Sequence, residues 1–496
     1  MTRPSIPARG LSADAVLSDL AAMKSADADW RGGRVFSLVY HAGEAHEQLL
    51  QKAHAMYASA NLLNPVAFQS LKRMEAEIVG MAASLMHGPE TTVGAVTSGG
   101  TESILVAMSA YRDRARKLRP WIRSPEIVCG RTAHPAFEKA AHYFGFTLRR
   151  VDVGDDLRVD MRAMAKAIGR NTIGLVVSAP QYPHGVIDHV EEASALARKH
   201  KLPLHVDACV GGWLLPWLEM IGRPVRPWDF RVPGVTSISA DLHKYAYASK
   251  GASVVLWRSM DYMKYQFFVS TDFPGGIYAS PTMIGTRPGG PIAAAWAGLK
   301  SLGEAGYMEL ARKSADAADQ LRAGIAKIDG LRLLGDPDAT IVAYGAAEGG
   351  PDVYAVADRL EARGWAADRM QHPAAIHLTC TANHLAIVDA YLRDLAAAVA
   401  DVMASPELKH SGTAPMYGMV AKLPMRGMVA SNVRKMMTQM YAPGVVVPDL
   451  TKPGTGVVDK FLDKYGPQVS AALDRLENAR AVVGRVTGKA RRPRGA

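Results

Sequence analysis

The stretch SISADLHKYAYASKGASVVLW, Ser237 to Trp257, sets Lys244 directly after His243 in what reads as a turn between two apolar strands. An ammonium group at a strand end packs poorly but can be used covalently. Three other stretches carry complementary chemistry. In TSGGTES, Gly99 and Gly100 let the backbone approach an anion closely, and the helix starting near Thr101 points its free N–H groups and dipole at that anion. In RTAHPAFEKAA, His134 stands just before a helix. In LHVDACVGG, Asp207 closes an apolar strand, where a carboxylate has to be hydrogen-bonded or paired.

Each feature alone has an ordinary reading: a glycine turn, a satisfied histidine, a capping acid, a solvated lysine. Together they supply a phosphate turn, a flat ring, an acid and a lysine at successive element ends. Pyridoxal 5'-phosphate needs that set: a phosphate cradle, a surface against its ring, a carboxylate opposite the pyridine nitrogen and a lysine for its aldehyde. No C-x-x-C pair accompanies them, and no metal is expected.

The elements that must position these residues are legible as alternation. The runs EIVCG, TLRRVDV, TIGLVVSAP, LPLHVDA, VTSISAD and ASVVLW read as strands, with helical stretches such as PAFEKAAHYFG and EEASALARKH between the earlier ones. This pattern predicts an α/β fold with a largely parallel sheet covered by helices and functional residues at strand ends. Three regions are expected: residues 1–65 as an N-terminal helical segment and arm, 66–315 as the large domain, and 316–496 as a smaller C-terminal α+β domain with a basic tail. The methionine-rich run PMYGMVAKLPMRGMVASNVRKMMTQMY has helical spacing and is expected to pack in a core or an interface.

Composition bounds the function classes. With 496 residues, 48% apolar and 21% charged, the chain has the make-up of a large globular protein. Three widely spaced cysteines, Cys129, Cys209 and Cys380, argue against a disulfide framework and for a reducing, cytoplasmic setting. No apolar run reaches the roughly 18 residues of a spanning helix, and the N-terminus lacks a signal-type segment, so a soluble chain without a transmembrane anchor is expected. Part of the net charge of +11 sits in the final RVTGKARRPRGA. Without a nucleic-acid-binding motif this charge suits anionic substrates or peripheral contact with anionic membranes rather than nucleic acid.

The ordered stretches VTSGGTESILVAMSAYRDRAR, HPAFEKAAHYFG, SAPQYPHGVIDHV, HVDACVGGWLLP, SISADLHKYAYASKGASVVLW, GGIYASPTMIGTRPGG and PMYGMV resemble the sphingosine-1-phosphate lyases, a branch of the group II pyridoxal-phosphate-dependent decarboxylase-like enzymes, in their soluble bacterial form. The likeness runs from about residue 30 to at least residue 420. It implies the aspartate-aminotransferase-like fold type I of pyridoxal-phosphate-dependent transferases and a homodimer with shared active sites. It also implies cleavage of the Cα–Cβ bond of a phosphorylated sphingoid base to a fatty aldehyde and phosphoethanolamine. By the same resemblance, Lys244 bonds to the cofactor aldehyde, Asp207 holds the ring nitrogen's proton, His134 stacks on the ring, and Gly99, Gly100, Thr101 and His243 seat the phosphate. Tyr40 and Tyr182 fall at substrate-handling positions, and Lys250 at a position suited to the substrate phosphate. Two positions depart from the family pattern: Asn64 replaces a histidine in the N-terminal arm, and Thr286 replaces a common serine.

Two other readings remain open on sequence. An amino-acid decarboxylase of the same superfamily would use Lys244 and Asp207 with a small-domain cation such as Arg359, Arg363, Arg369 or Arg393 for the substrate carboxylate. A non-catalytic binding protein could retain the fold, but keeping Lys244 together with Asp207 argues against it.

Overall fold

The computed structural model describes residues 5–25, 27–414, 417 and 426–443 of the 496. Most of the continuous apolar runs become strands buried along their whole length, as a sheet covered on both faces requires, while the edge strand Thr147–Val151 is largely exposed and Val93 and Gly94 are half-buried. The strands of the large sheet are β1 (Val93–Thr97), β2 (Glu126–Gly130), β3 (Thr147–Val151), β4 (Thr172–Ser178), β5 (Leu204–Asp207), β6 (Val235–Ala240) and β7 (Ser253–Trp257). Their order is β1-β7-β6-β5-β4-β2-β3. β7 runs antiparallel to both its neighbours and the remaining pairs are parallel. This order sets β6, β5 and β4 side by side, so the turn bearing Lys244, the acid Asp207 and the loop bearing Tyr182 emerge from one edge of the sheet.

A short antiparallel hairpin follows, β8 (Phe268–Ser270) with β9 (Tyr278–Ser280). The long helix Gly289–Ile325 then turns at Gly303, whose φ of 57° is readily adopted by glycine. Its first part packs into the large core with Ile292, Ala295 and Leu299, and its later part packs into a second core with Ala317, Leu321 and Ile325. That second core underlies an antiparallel sheet, β10 (Leu331–Leu333), β11 (Ile341–Ala346), β12 (Asp368–Gln371) and β13 (Ala374–Thr379), in the order β10-β11-β13-β12. The expected α/β class, with a mostly parallel large sheet and a smaller α+β unit, is what the chain adopts.

One feature differs from the sequence reading. Residues 34–36 are not merely an arm. Ala366 N–H donates to the Arg34 carbonyl (2.8 Å), Phe36 N–H to the Ala366 carbonyl (3.0 Å) and Thr379 N–H to the Phe36 carbonyl (2.9 Å). The N-terminal segment is therefore joined to the small sheet, and Phe36 is fully buried in its core. In the methionine-rich run, the helix Arg426–Met440 exposes Met436 and Met437 (38% and 42%), so of the two expected roles an interface suits these two side chains rather than a core of this chain, and residues 415, 416 and 418–425 of the run lie outside the described residues. The C-terminal basic tail lies outside the described residues. Among the described residues no helix is long and apolar enough to cross a membrane.

Candidate active site

Lys244 sits in the turn joining β6 to β7, and its neighbour three residues earlier, Asp241, points back at it: Nζ lies 2.9 Å from Oδ2. Burial is the largest influence and alone would lower the Lys244 ammonium, but the charge and hydrogen bond of Asp241, together with Cys209 and Tyr40, hold Lys244 above its ordinary range. The reciprocal holds for Asp241. Burial pushes its carboxyl up, and Lys244 and His243 together carry it below the usual carboxylate value. The turn is braced from behind by Tyr307, which donates to the Ala246 carbonyl (2.9 Å), and by His46 Nε2, 2.9 Å from the carbonyl of Tyr247. Tyr247 has a φ of 53°, a strained conformation for a residue with a side chain.

Gly99 and Gly100 form the turn between β1 and the helix Gly100–Leu118. A Cβ at Gly100 would lie 2.7 Å from both Asp241 carboxylate oxygens and 2.8 Å from Cys209 Sγ, so only glycine fits. At Gly99, with φ of 155°, a Cβ would meet His243 Cε1 at 3.3 Å. The glycine turn, Cys209, Asp241, His243 and Lys244 thus share one small volume. Thr101, the second residue of that helix, is exposed. Ser98 N–H donates to Glu102 Oε2 (2.6 Å), fixing the turn from the helix side.

Asp207 ends β5. Its Oδ1 accepts from Cys209 N–H (3.1 Å) and from the Ser239 hydroxyl (3.3 Å), and its Oδ2 makes no hydrogen bond among the described residues. Tyr40 stands edge-on to Tyr245, with ring centres 4.9 Å apart, and Lys250 Nζ lies over the Tyr40 ring at 5.3 Å. Burial raises the Tyr40 phenol, with Lys244 pulling the other way. Lys250 donates to the His243 carbonyl (3.1 Å). Its ammonium is pushed down to about 8, first by burial and then by the nearby Lys244 charge.

Tyr182 donates to Asp368 Oδ2 (2.5 Å), and its ring packs on His377 with centres 4.2 Å apart. Asp368 and His377 face one another across β12 and β13. The Tyr182 loop of the large sheet is thereby tied to the small one. Burial raises the Tyr182 phenol, and the Asp368 charge raises it further.

Three expected site residues are exposed, and the hydrogen bonds of His134 and Asn64 are local ones. His134 is exposed, and its Nδ1 accepts from Ala136 N–H (3.1 Å) at the start of its own helix. Asn64 is exposed, its Oδ1 accepting from Val66 N–H (3.0 Å) and Ala67 N–H (3.3 Å). Thr286 is exposed beside the buried Arg287. None of the three hydrogen-bonds to the Lys244 group among the described residues. Conversely, sequence reasoning missed Asp241, Cys209 and Asp368. Asp241 carried a signal, an acid three residues before the lysine in one turn. Asp368, 186 residues from Tyr182, carried none.

The arrangement fits pyridoxal 5'-phosphate. A side-chain-free turn at a helix N-terminus suits the phosphate, an acid with one oxygen held and one open suits a protonated ring nitrogen, and Lys244 suits the aldehyde. Residues 4–346 match the pyridoxal-dependent decarboxylase conserved domain. The chain is 44% identical over 440 residues to sphingosine-1-phosphate lyase 1 of Rattus norvegicus, covering 88% of this chain and 77% of that one. It is 35% identical over 395 residues to a probable sphingosine-1-phosphate lyase of Legionella pneumophila, covering 76% and 64%. Among solved structures, the sphingosine-1-phosphate lyase of Burkholderia pseudomallei superposes with a TM-score of 0.79 at 36% identity, covering 88% of this chain and 97% of that one. A Lactobacillus brevis glutamate decarboxylase, at 22% identity and a TM-score of 0.71, shares the fold. The chain belongs to the sphingosine-1-phosphate lyase family, within the pyridoxal-dependent decarboxylase fold.

Proposed function

We propose that this chain is a pyridoxal-phosphate-dependent aldehyde-lyase that cleaves the Cα–Cβ bond of sphingosine 1-phosphate, or a related phosphorylated long-chain amino alcohol, to a fatty aldehyde and phosphoethanolamine. The observation that carries this reading is the Lys244–Asp241 pair set against the Gly99–Gly100 turn and Asp207. When bound, the cofactor supplies an aldehyde for an amine and a ring that stabilises negative charge on the adjacent carbon. The protein's own part is positioning and proton handling. Gly99, Gly100, Thr101 and His243 hold the cofactor phosphate, and His134 covers the ring. Asp207 holds a proton at the ring nitrogen, and Asp241 holds the Lys244 ammonium until the cofactor is engaged. Lys250 meets the substrate phosphate. Tyr182, whose own hydrogen is directed at Asp368, offers its oxygen to a substrate hydroxyl, and Tyr40 lines the cleft beside Lys244.

The small-domain arginines support the lyase over an amino-acid decarboxylase. Arg359 and Arg363 both pair with Asp401, Arg369 pairs with Asp358 and Glu361, and Arg393 is exposed on the helix Val388–Ala404. The first three are held by acids of their own domain.

The working protein is read as a homodimer with shared sites. The exposure of Asn64 and Thr286 suits residues that act across such an interface, and Phe268, Phe273 and Ile277 around the β8–β9 hairpin, 61%, 61% and 80% exposed, suit burial there. The chain is read as cytoplasmic, its +11 charge suiting contact with anionic membranes that hold such lipids. Mass spectrometry of cofactor-loaded protein with sphingosine 1-phosphate tests the activity: long-chain aldehyde together with phosphoethanolamine is expected. Protein that binds the cofactor but forms neither product would overturn the substrate assignment.

A further inference from the structure

Behind Asp207 a line of polar side chains crosses from β5 to β6 and on to the helix Gly100–Leu118. Ser239 Oγ lies 3.3 Å from Asp207 Oδ1 and 3.2 Å from His205 Nε2. His205 Nδ1 lies 2.8 Å from Ser237 Oγ. Tyr111 Oη lies 2.6 Å from Ser237 Oγ and 2.7 Å from Thr236 Oγ1. His205, Ser237 and Ser239 are fully buried, and Tyr111 is 1% exposed. None of these residues would touch substrate, so the proposed reaction gives them no direct task.

Counting hydrogens gives a direction to each link from Tyr111 through Ser237, His205 and Ser239 to Asp207. The single Ser239 hydroxyl hydrogen goes to Asp207 Oδ1, so Ser239 must accept from His205, and the His205 hydrogen is on Nε2. A neutral ring then has a bare Nδ1, which accepts from the Ser237 hydroxyl. Ser237, its own hydrogen given to His205, can only accept from Tyr111, whose single hydrogen is shared between Ser237 and Thr236 Oγ1 because the Thr236 hydrogen is directed at the Leu204 carbonyl (2.9 Å). Cys209 Sγ–H adds a further donor to Ser239 (3.3 Å). Every hydrogen in the series points toward the carboxylate.

We propose that His205 is the positioning residue for Asp207: a neutral imidazole with its hydrogen on Nε2, through which Tyr111, Ser237 and Ser239 direct an unbroken series of donors at Oδ1. This rests on the reading of Asp207 as the partner of the cofactor's ring nitrogen. Donors aimed at a carboxylate favour its anion, and one oxygen so held leaves Oδ2 free for that nitrogen. Burial supports the neutral ring, pushing His205 down to about 4 against the pull of Asp207. The other titratable groups near the carboxylate are Cys209, two residues beyond β5, and, from the β6–β7 turn, Asp241 and Lys244, which act with Asp207 on Cys209.

Nitrogen-15 NMR of histidine-labelled protein tests the tautomer without reference to activity. The resonance lost in His205→Gln is expected to be that of a neutral, Nε2-protonated ring from about pH 5.5 to 8. An imidazolium or an Nδ1-protonated ring overturns the proposal. In cofactor-loaded protein, Ser239→Ala and His205→Gln are expected to weaken cofactor binding by tenfold or more, with Tyr111→Phe shifting it in the same direction but less. Both are also expected to move the pH titration of the visible absorbance relative to the parent. Unchanged affinity and titration in folded Ser239→Ala and His205→Gln also overturn it. Should the parent fail to take up the cofactor, the reading of Asp207 falls, a result distinct from a parent and variants that bind alike.

Discussion

Lys244 Nζ and Asp241 Oδ2 lie 2.9 Å apart within one turn, so the lysine proposed to bond the cofactor is paired with an acid beside the Gly99–Gly100 turn. Lys244→Ala is expected to abolish turnover and the lysine-dependent visible absorbance. Asp241→Asn removes the charge that offsets burial, so Lys244 loses its proton at lower pH. The pH midpoint of cofactor loading, followed by absorbance, should then fall by about one unit or more. An unchanged midpoint would mean that Asp241 does not govern the lysine.

Lys250 gives the site a pH limit on the alkaline side. Its ammonium, lowered to about 8, is fully charged well below that value and loses charge as pH rises through it. If Lys250 holds the substrate phosphate, kcat/KM falls as pH passes about 8, and Lys250→Arg flattens that limb while retaining the charge. A limb unchanged in Lys250→Arg assigns it to another group.

Tyr182 and Asp368 act as a unit if the phenol relays a hydroxyl proton to the acid. Tyr182→Phe should then lower kcat by about 10²-fold or more, with Asp368→Asn causing a smaller loss and the double variant no worse than Tyr182→Phe. Strictly additive losses would separate the two residues.

Asn64 accepts from two backbone N–H groups of its own loop. Asn64→His is expected to raise activity on a sphingoid phosphate while costing about 1 kcal/mol of stability through the lost turn hydrogen bonds, measured by urea unfolding. No gain in activity would show that the position has been repurposed.

Arg287 and Glu75 form a buried ion pair at the start of the long helix, with Glu75 also accepting from Val96 N–H of β1. Arg287→Ala leaves the buried acid with the half-exposed Lys72 (Nζ 2.9 Å from Oε2) as its remaining charge partner and should destabilise the protein by about 2–3 kcal/mol in chemical denaturation. A loss below about 1 kcal/mol would mean that water or another cation replaces the guanidinium.

The parts of the site that were legible in the sequence are those built within a single turn. Gly99–Gly100, Asp207 and His243–Lys244 each sit where a short apolar run ends, and the strand order needed only to bring those ends to one edge. Asp241 was equally local, but an acid near a lysine reads as an ordinary surface pair until the turn is seen to bury it. Asp368 and His205 were illegible for a different reason. The first acts through a contact between two sheets, and the second depends on the register that sets His205 beside Ser237 on the neighbouring strand. The extended pairing of residues 34–36 was missed because three residues carry no periodicity, and only their partners Ala366 and Thr379 define them.

That pairing has a consequence for how the chain is made. Phe36 leaves the ribosome early, yet its backbone partners follow some 330 residues later. The large sheet from β1 to β7 has all its strands before the small one is complete. The small core, with Phe36 at its centre, can close only when the last of its strands has emerged, which leaves an apolar early segment waiting through most of translation. A growing chain of this protein is therefore most exposed to mispairing at its beginning, and chaperone or ribosome-bound factors would be expected to engage it there.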